Sequence, residues 1–427
     1  MALAGGRRGA AACPWADVRF RATASLRASR PGAPFAFPPP VHWPEQPIES
    51  LPAFHPPHCP WAPCPSHVSS SPFRFRRHGT YATVCHPAPI PRFVCLVCRR
   101  SFSQQTFSTS YYLKLPHLSA PIAAGLVAGS AHRQIARSLA CAPTTVTRRA
   151  ARLGRHCLLL HAHLLDALSL IREPLVYDHF ESFAHSQDEP CGFGTLVGHR
   201  TWFVYRLDFA PHRRAGRSTP AQKQRQGRLW SHSLRREDPY RAACASSFAS
   251  VLDRLPLASP HRVYCDGKPS YLRALGRVPF RHRLDLRVHP NPKRGPKGSL
   301  RSAEARARDR ALFPVDLLHG LLRHSAAHHR RETIAFARRH NAALERLALF
   351  AVWRDVVKRR SERDLRSRTP AMVLGLSKKP WEWERVFAQR LFVWKYALVE
   401  LWRRIYRREI DTRGLTVNAR HTLKNAV

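Results

Sequence analysis

A chain of 427 residues with 44% hydrophobic content is long enough for roughly two to four domains and can bury a substantial core. Its 71 Lys and Arg against 28 Asp and Glu give a formal charge of +43, which repels itself unless a polyanion neutralises it, so nucleic acid is the expected partner. No uncharged apolar stretch reaches the roughly 18 residues that span a bilayer, and no membrane partner is expected; the most apolar window, 157–171, is broken by His161, His163 and Asp166.

Residues 1–52 are rich in Pro, Arg and Ala without a steady period, and are expected to be disordered. The start, Met1-Ala-Leu-Ala-Gly-Gly-Arg-Arg, lacks an apolar signal core. A reducing cytoplasm is therefore expected, where closely spaced cysteines bind metal more often than they pair. Between 53 and 112 the spacing Cys59-Pro-Trp-Ala-Pro-Cys64 and Cys95-Leu-Val-Cys98, beside short aromatic strands, suits a zinc ribbon. Two loops presenting two thiolates each fit tetrahedral Zn²⁺, which replaces the core that so small a module lacks. Cys85, His58, His67 and His86 are possible substitutes for one ligand. Helical periodicity begins near Ser119, and 113–165 reads as a helix-turn-helix. Ile135, Ala136 and Leu139 are spaced to face a core, Cys141-Ala-Pro makes the turn, and Thr144 is placed to cap the second helix. Arg133 and Gln134 on the first helix, with Thr145, Thr147, Arg148, Arg149 and Arg152 on the second, are the candidate DNA contacts.

From 172 to 363 the period changes. Leu175-Val-Tyr-Asp-His-Phe predicts a strand, and 193–197 with 201–209 predict a hairpin across Gly198-His-Arg. A basic loop over 211–239, a helix over 240–255, a fourth strand over 261–266 and a fifth over 285–289 follow. Helices are expected over 312–363 and, in a C-terminal extension spanning 364–427, over 381–406, with Trp381, Trp394 and Trp402 as packing anchors. The order of strands and helices is that of a ribonuclease H-like fold, a mixed sheet with flanking helices, so the whole reads as a multidomain α+β and α/β chain. Lys293, Arg294 and Lys297 lie in a basic loop expected to contact DNA backbone in a salt-dependent way.

Asp178 and Asp266 close apolar strand-like runs, an unusual place for a carboxylate in so basic a chain. On the first and fourth strands of such a sheet they would lie side by side and could hold divalent metal for in-line phosphoryl transfer. Oxygen ligands suit Mg²⁺. A third carboxylate is expected from the long helix, either Asp316 or Glu332; along one straight helix the two are too far apart for both to serve. Glu181, Asp188 and Asp208 are expected at the surface.

Three stretches carry a family resemblance: Ile90-Pro-Arg-Phe-Val-Cys-Leu-Val-Cys-Arg-Arg-Ser-Phe-Ser; Arg133-Gln-Ile-Ala-Arg-Ser-Leu with Thr145-Val-Thr-Arg; and Arg330-Arg-Glu-Thr-Ile-Ala-Phe-Ala-Arg-Arg. Through them, residues 54–406 resemble bacterial insertion-sequence transposases of the DDE class with an N-terminal zinc ribbon and helix-turn-helix. The resemblance implies Mg²⁺-dependent DNA cleavage and strand transfer at the ends of an insertion sequence, and maps Asp178 and Asp266 onto the first two catalytic acids. A homo-oligomer on double-stranded DNA, associated with the bacterial nucleoid, is the corresponding expectation. Where relatives often carry Glu-x-x-Asn-x-x-Leu-Arg, this chain has Asp316-Leu-Leu-His-Gly-Leu-Leu-Arg, a departure at both polar positions that leaves Asp316 and Glu332 as alternatives. The rival reading is a zinc-bearing, DNA-binding transcription regulator without catalysis.

Overall fold

The computed structural model describes residues 54–68, 72–231, 238–292, 295–296, 298–330 and 332–422. The 1–52 segment and Lys293, Arg294 and Lys297 lie outside these residues. The first sheet is antiparallel, in the order β1 (Phe75–Thr83), β2 (His86–Cys95), β3 (Ser101–Ser103). It is too small for an aliphatic core; instead Phe93, Phe102 and Phe107 pack around the buried thiols, and Phe392 from the far end of the chain joins them.

Three helices follow: α1 (Ser119–Val127), α2 (His132–Ser138) and α3 (Pro143–Asp166). Ile135 and Ala136 turn inward as their spacing predicts. The cap of α3 differs from expectation. The helix starts at Pro143 after Ala142, because proline has its φ already set and no N–H to satisfy in a first turn, so Thr144 lies inside the helix. α3 then runs 24 residues, and its second half is buried in the same core as the main sheet. One hydrophobic core thus extends from Leu118 to Ile410.

The main sheet contains β4 (Leu175–Phe183), β5 (Pro190–Gly198), β6 (Val204–Leu207), a short β7 (Ala210–Pro211) beside β5, β8 (His261–Cys265) and β9 (Leu284–Val288). Its order is β6-β5-β4-β8-β9, with β4, β5 and β6 antiparallel in succession and β8 and β9 parallel to β4. α4 (Pro220–Trp230) follows β7, and α5 (Pro239–Ala249), α6 (Pro269–Arg277), α7 (Ala303–Ser325) and α8 (His340–Val352) contribute to the core around the sheet. α4 occupies part of the stretch expected to be a loop. Thr219 and Gln222 form a reciprocal capping box ahead of Pro220, a helix start concealed by an otherwise polar composition.

The helix expected over 312–363 is broken. α7 stops at Ser325, and the chain bends away to bury His328 and His329; the His329 ring packs on Phe180 and Phe193. Glu332 then adopts a left-handed backbone (φ 54°), off any helix. Beyond α8 a π-helical turn, Trp353–Val357, presents the buried Asp355 carboxylate to the Val204 N–H at 3.0 Å. The 381–406 region is likewise interrupted: α9 (Pro370–Val373) precedes two short helices, α10 (Trp383–Val386) and α11 (Glu400–Tyr406). Trp402 is buried and donates to Leu207 O at 3.1 Å, so side chains satisfy polar groups of the edge strand β6. Trp394 is 48% exposed and does not anchor. Among the described residues, no helix is long and apolar enough to cross a membrane.

α3 and α8 touch backbone to backbone at Gly154, where an added Cβ would lie 2.2 Å from the Glu345 carbonyl oxygen. Beside this contact the buried Glu345 carboxylate takes Arg155 at 3.0 Å and Arg408 at 3.1 Å. Gly154→Ala should therefore overpack the interface and cost about 1–3 kcal/mol, read as a lower urea midpoint at unchanged slope. An unchanged midpoint would refute the close approach.

Candidate functional site

The Sγ atoms of Cys59, Cys64, Cys95 and Cys98 all lie within 4.8 Å of one another. Two of the separations are 3.7 Å (Cys59–Cys98) and 3.8 Å (Cys64–Cys95). Four thiolates bound tetrahedrally at about 2.3 Å stand about 3.8 Å apart, so the set could hold a metal such as zinc. Local turns aim them: Cys64 N–H reaches Trp61 O at 3.0 Å, and Arg99, at φ 60°, returns its N–H to Cys95 O at 2.9 Å. The possible substitutes are otherwise engaged. His58 and His67 bond the Cys59 carbonyl at 2.9 and 2.7 Å, and Cys85 donates to Lys114 O.

On the main sheet, Tyr177 and Cys265 are partners in the parallel β4–β8 register. Each is followed by an aspartate, so Asp178 and Asp266 occupy neighbouring positions on strands about 4.8 Å apart. Burial, then the charge of Asp266, pushes the Asp178 carboxyl up to about 6, against hydrogen bonds from His179 N–H (2.7 Å) and the Tyr271 hydroxyl (3.2 Å). Asp266 accepts from Lys268 N–H at 3.0 Å and from Asn291 at 3.4 Å. Behind Asp178 runs a buried polar chain: Tyr271 contacts His179 Nδ1 at 2.8 Å, and His179 Nε2 lies 3.2 Å from Asp208. Asp208 also accepts from the Tyr177 and Ser247 hydroxyls at 2.6 and 2.7 Å. Burial raises the Asp208 carboxyl, but His179 and these hydroxyls outweigh it and hold it below its ordinary range.

α7 crosses this site with His319. The Thr195 hydroxyl lies 3.2 Å from Asp178 O and 2.9 Å from His319 Nε2, and its one proton can go to either. His319 Nδ1 stands 3.7 Å from Asp178 Oδ2. Burial first, then His179 and Arg323, lowers the His319 pKa to about 3, which keeps the ring neutral. The sequence contained His319 at a helical spacing of three from Asp316; the contributions of Tyr271 and Asp208 had no local signal.

The two alternatives for a third acid are not equivalent. Asp316 is on α7, with both oxygens taken by Arg308, which also donates to Asn291 at 3.0 Å. Glu332, expected on the same helix, is instead exposed on the segment after it, lining a shallow depression with Glu181, His212 and Arg323. Among the described residues, Asp178 and Asp266 belong to no set of three His, Cys, Asp or Glu ligand atoms mutually within 4.8 Å. Glu181 is exposed as expected, but Asp208 and Asp188 are buried: the donors around Asp208 offset its desolvation, whereas Asp188 meets Arg225 at 2.8 Å through one oxygen and leaves the other without a partner.

Of the candidate DNA contacts, Arg133, Gln134, Thr147 and Arg148 are exposed and Thr145 is half-buried. Gln134 also caps α2 through Ala131 N–H at 2.7 Å. Arg149 and Arg152 do not face outward. Arg149 donates to Ser119 and Leu115 O at 2.7 and 2.9 Å, and Arg152 to Tyr111 O at 2.6 Å. Their spacing puts both on the face of α3 that packs on the chain before α1. No family model matches the chain, and no curated protein matches it.

Two outcomes follow from this geometry. Elemental analysis should find one zinc per chain in the purified protein and none retained by Cys64→Ser; a native chain without metal would exclude the tetrahedral site. The second concerns Asp178, which titrates near 6 when folded against an ordinary 3.8. The folded chain thus holds a proton that the unfolded chain has released between those values, and stability falls as pH rises through that window. Asp178→Asn should be more stable than wild type by about 1–3 kcal/mol above pH ~6, and no more stable below pH ~4, in urea unfolding at both pH values.

Proposed function

We propose that the chain is a metal-dependent DNA nuclease and strand transferase of the DDE transposase kind, acting at the ends of an insertion sequence. In this reading a ribonuclease H-like domain follows a zinc ribbon and a helix-turn-helix. The carrying observation is the parallel pairing of β4 with β8, which sets Asp178 beside Asp266. The sheet order, with two parallel strands added to an antiparallel triplet, supports the ribonuclease H-like assignment. The clustered thiols support the ribbon, and the exposed Arg133, Thr147 and Arg148 on α2 and α3 support the helix-turn-helix. A formal charge of +43 supports a polyanionic substrate.

Asp178 and Asp266 would hold the catalytic metal, Mg²⁺ by ligand class. Their fit rests on their juxtaposition, where burial and then the Asp266 charge raise Asp178, and on the neutral His319 ring beside it. When bound, divalent metal activates a water or 3′-hydroxyl and stabilises the leaving oxygen of an in-line displacement. Tyr271 and His179 orient the Asp178 carboxylate from behind. Asp316 shares α7 with His319 and Glu332 does not, which favours Asp316 as the third acid once Arg308 releases it.

Asp178→Asn and Asp266→Asn should each abolish Mg²⁺-dependent nicking of element-end duplexes while duplex binding persists. Cutting retained by either variant would sink the assignment. The engagement of Asp316 by Arg308 favours one other reading, a DNA-binding regulator without catalysis. Wild-type protein that binds duplex yet never nicks it, in Mg²⁺ or Mn²⁺, would decide for that reading.

A further inference from the structure

Between α2 and the segment joining α7 to α8 lies a cleft of about 890 Å³. Arg133 and Arg137 line it from α2, and Arg330, Arg338, Arg339 and Arg346 from the opposite wall. Among the described residues lining it there is no Asp or Glu. Where these arginines have hydrogen-bond partners, those are carbonyl oxygens: Arg330 to His324, Arg339 to Val417, Arg346 to Ala342. Arg408 at the rim is the exception, paired with Glu345 at 3.1 Å. Two buried ring nitrogens in the lining, His132 Nε2 and His328 Nε2, have no hydrogen-bond partner, and His328 is only 6% exposed. Burial first, then Arg346, lowers both imidazoles, His132 to about 4, so neither ring adds charge until an anion arrives.

A row of guanidinium groups with no acid in the cleft lining, above buried and unsatisfied nitrogens, is completed by an anion. The arrangement favours an extended anion over a small one. Arg133, Arg137, Arg330 and Arg338 are exposed along two walls, whereas Arg346 is partly buried. Successive phosphates match such a row, with a guanidinium meeting phosphate oxygens through paired N–H groups. We propose that this cleft holds the sugar-phosphate backbone of the DNA on which the chain acts, an inference that rests on the DNA reading above. Thr147 of α3 lines the same cleft, so the helix-turn-helix face and the 330–339 stretch grip one strand jointly.

The test is fluorescence anisotropy of a fluorescein-labelled DNA duplex with the full-length chain over a salt series. Arg133→Ala/Arg330→Ala/Arg338→Ala alters only exposed side chains. It should weaken binding at least tenfold and lower the slope of log affinity against log salt by about 2–3, since each lost phosphate contact is worth about 0.9. Arg363→Ala/Arg366→Ala/Arg368→Ala, the same charge change on an exposed stretch that does not line the cleft, is the control and should shift neither quantity comparably. A cleft variant indistinguishable from the control, or a wild-type chain that binds no duplex, overturns the inference. Cleft-dependent binding without any nicking leaves it standing and removes the cutting reading; nicking with unchanged affinity in the cleft variant does the reverse.

Discussion

The packing of α3 on α8 is the constraint on which the rest of the molecule hangs. At Gly154 the two helices meet without an intervening side chain, and Glu345 is enclosed between Arg155 and Arg408. Burial pushes the Glu345 carboxyl up while the two guanidinium groups oppose it. A buried carboxylate with one cation missing is strongly destabilising, so this trio closes only when both helices and the chain after α11 are in register. α3 also carries the exposed Thr147 and Arg148 near its start, and α8 carries Arg346 into the cleft wall. One helix contact therefore fixes the distance between two cationic surfaces that are far apart in sequence.

The acid pair is isolated by the arrangement of cations around it. In a chain so rich in Lys and Arg, neighbouring cations hold other partners. Arg308 takes Asp316, Arg323 lies over the Phe180 ring at 4.5 Å, and Lys268 lies over the Tyr240 ring at 3.3 Å while reaching Glu181. Asp178 and Asp266 thus keep their mutual repulsion, which is the electrostatic condition for capturing a diffusible cation. The His179–Asp208 pair sits on the opposite side of the same strand and fixes the Tyr271 hydroxyl that orients Asp178.

What the sequence made legible was local. Cysteine spacing marked the four thiols that meet, runs of aromatic and β-branched residues marked β4, β5, β8 and β9, and an acid after an apolar run marked Asp178 and Asp266. What it concealed depended on partners distant in sequence. Asp208 reads as a surface group until Tyr177, Ser247 and His179 are seen to converge on it. Arg149 and Arg152 read as DNA contacts because nothing nearby in sequence reveals that the carbonyls of Leu115 and Tyr111 wait for them. The break after Ser325 was hidden for the same reason: the sheet side chains that receive His329 come from β4 and β5. α4 is the exception, since Thr219-Pro-Ala-Gln was a readable helix start.

The reach of Phe392 into the aromatic cluster around the thiols has a consequence for the order of folding. Its neighbours tie down the same module: Arg390 bonds Phe107 O and Thr106 O, and Thr109 bonds Phe387 O. Contacts between segments so far apart in sequence form late, because a long loop must close before they repay its lost entropy. The strands and turns of the cysteine module can form locally, but its aromatic wall is complete only once the segment around Phe392 has docked. Convergence of the four thiols and docking of the 387–392 segment therefore stabilise one another.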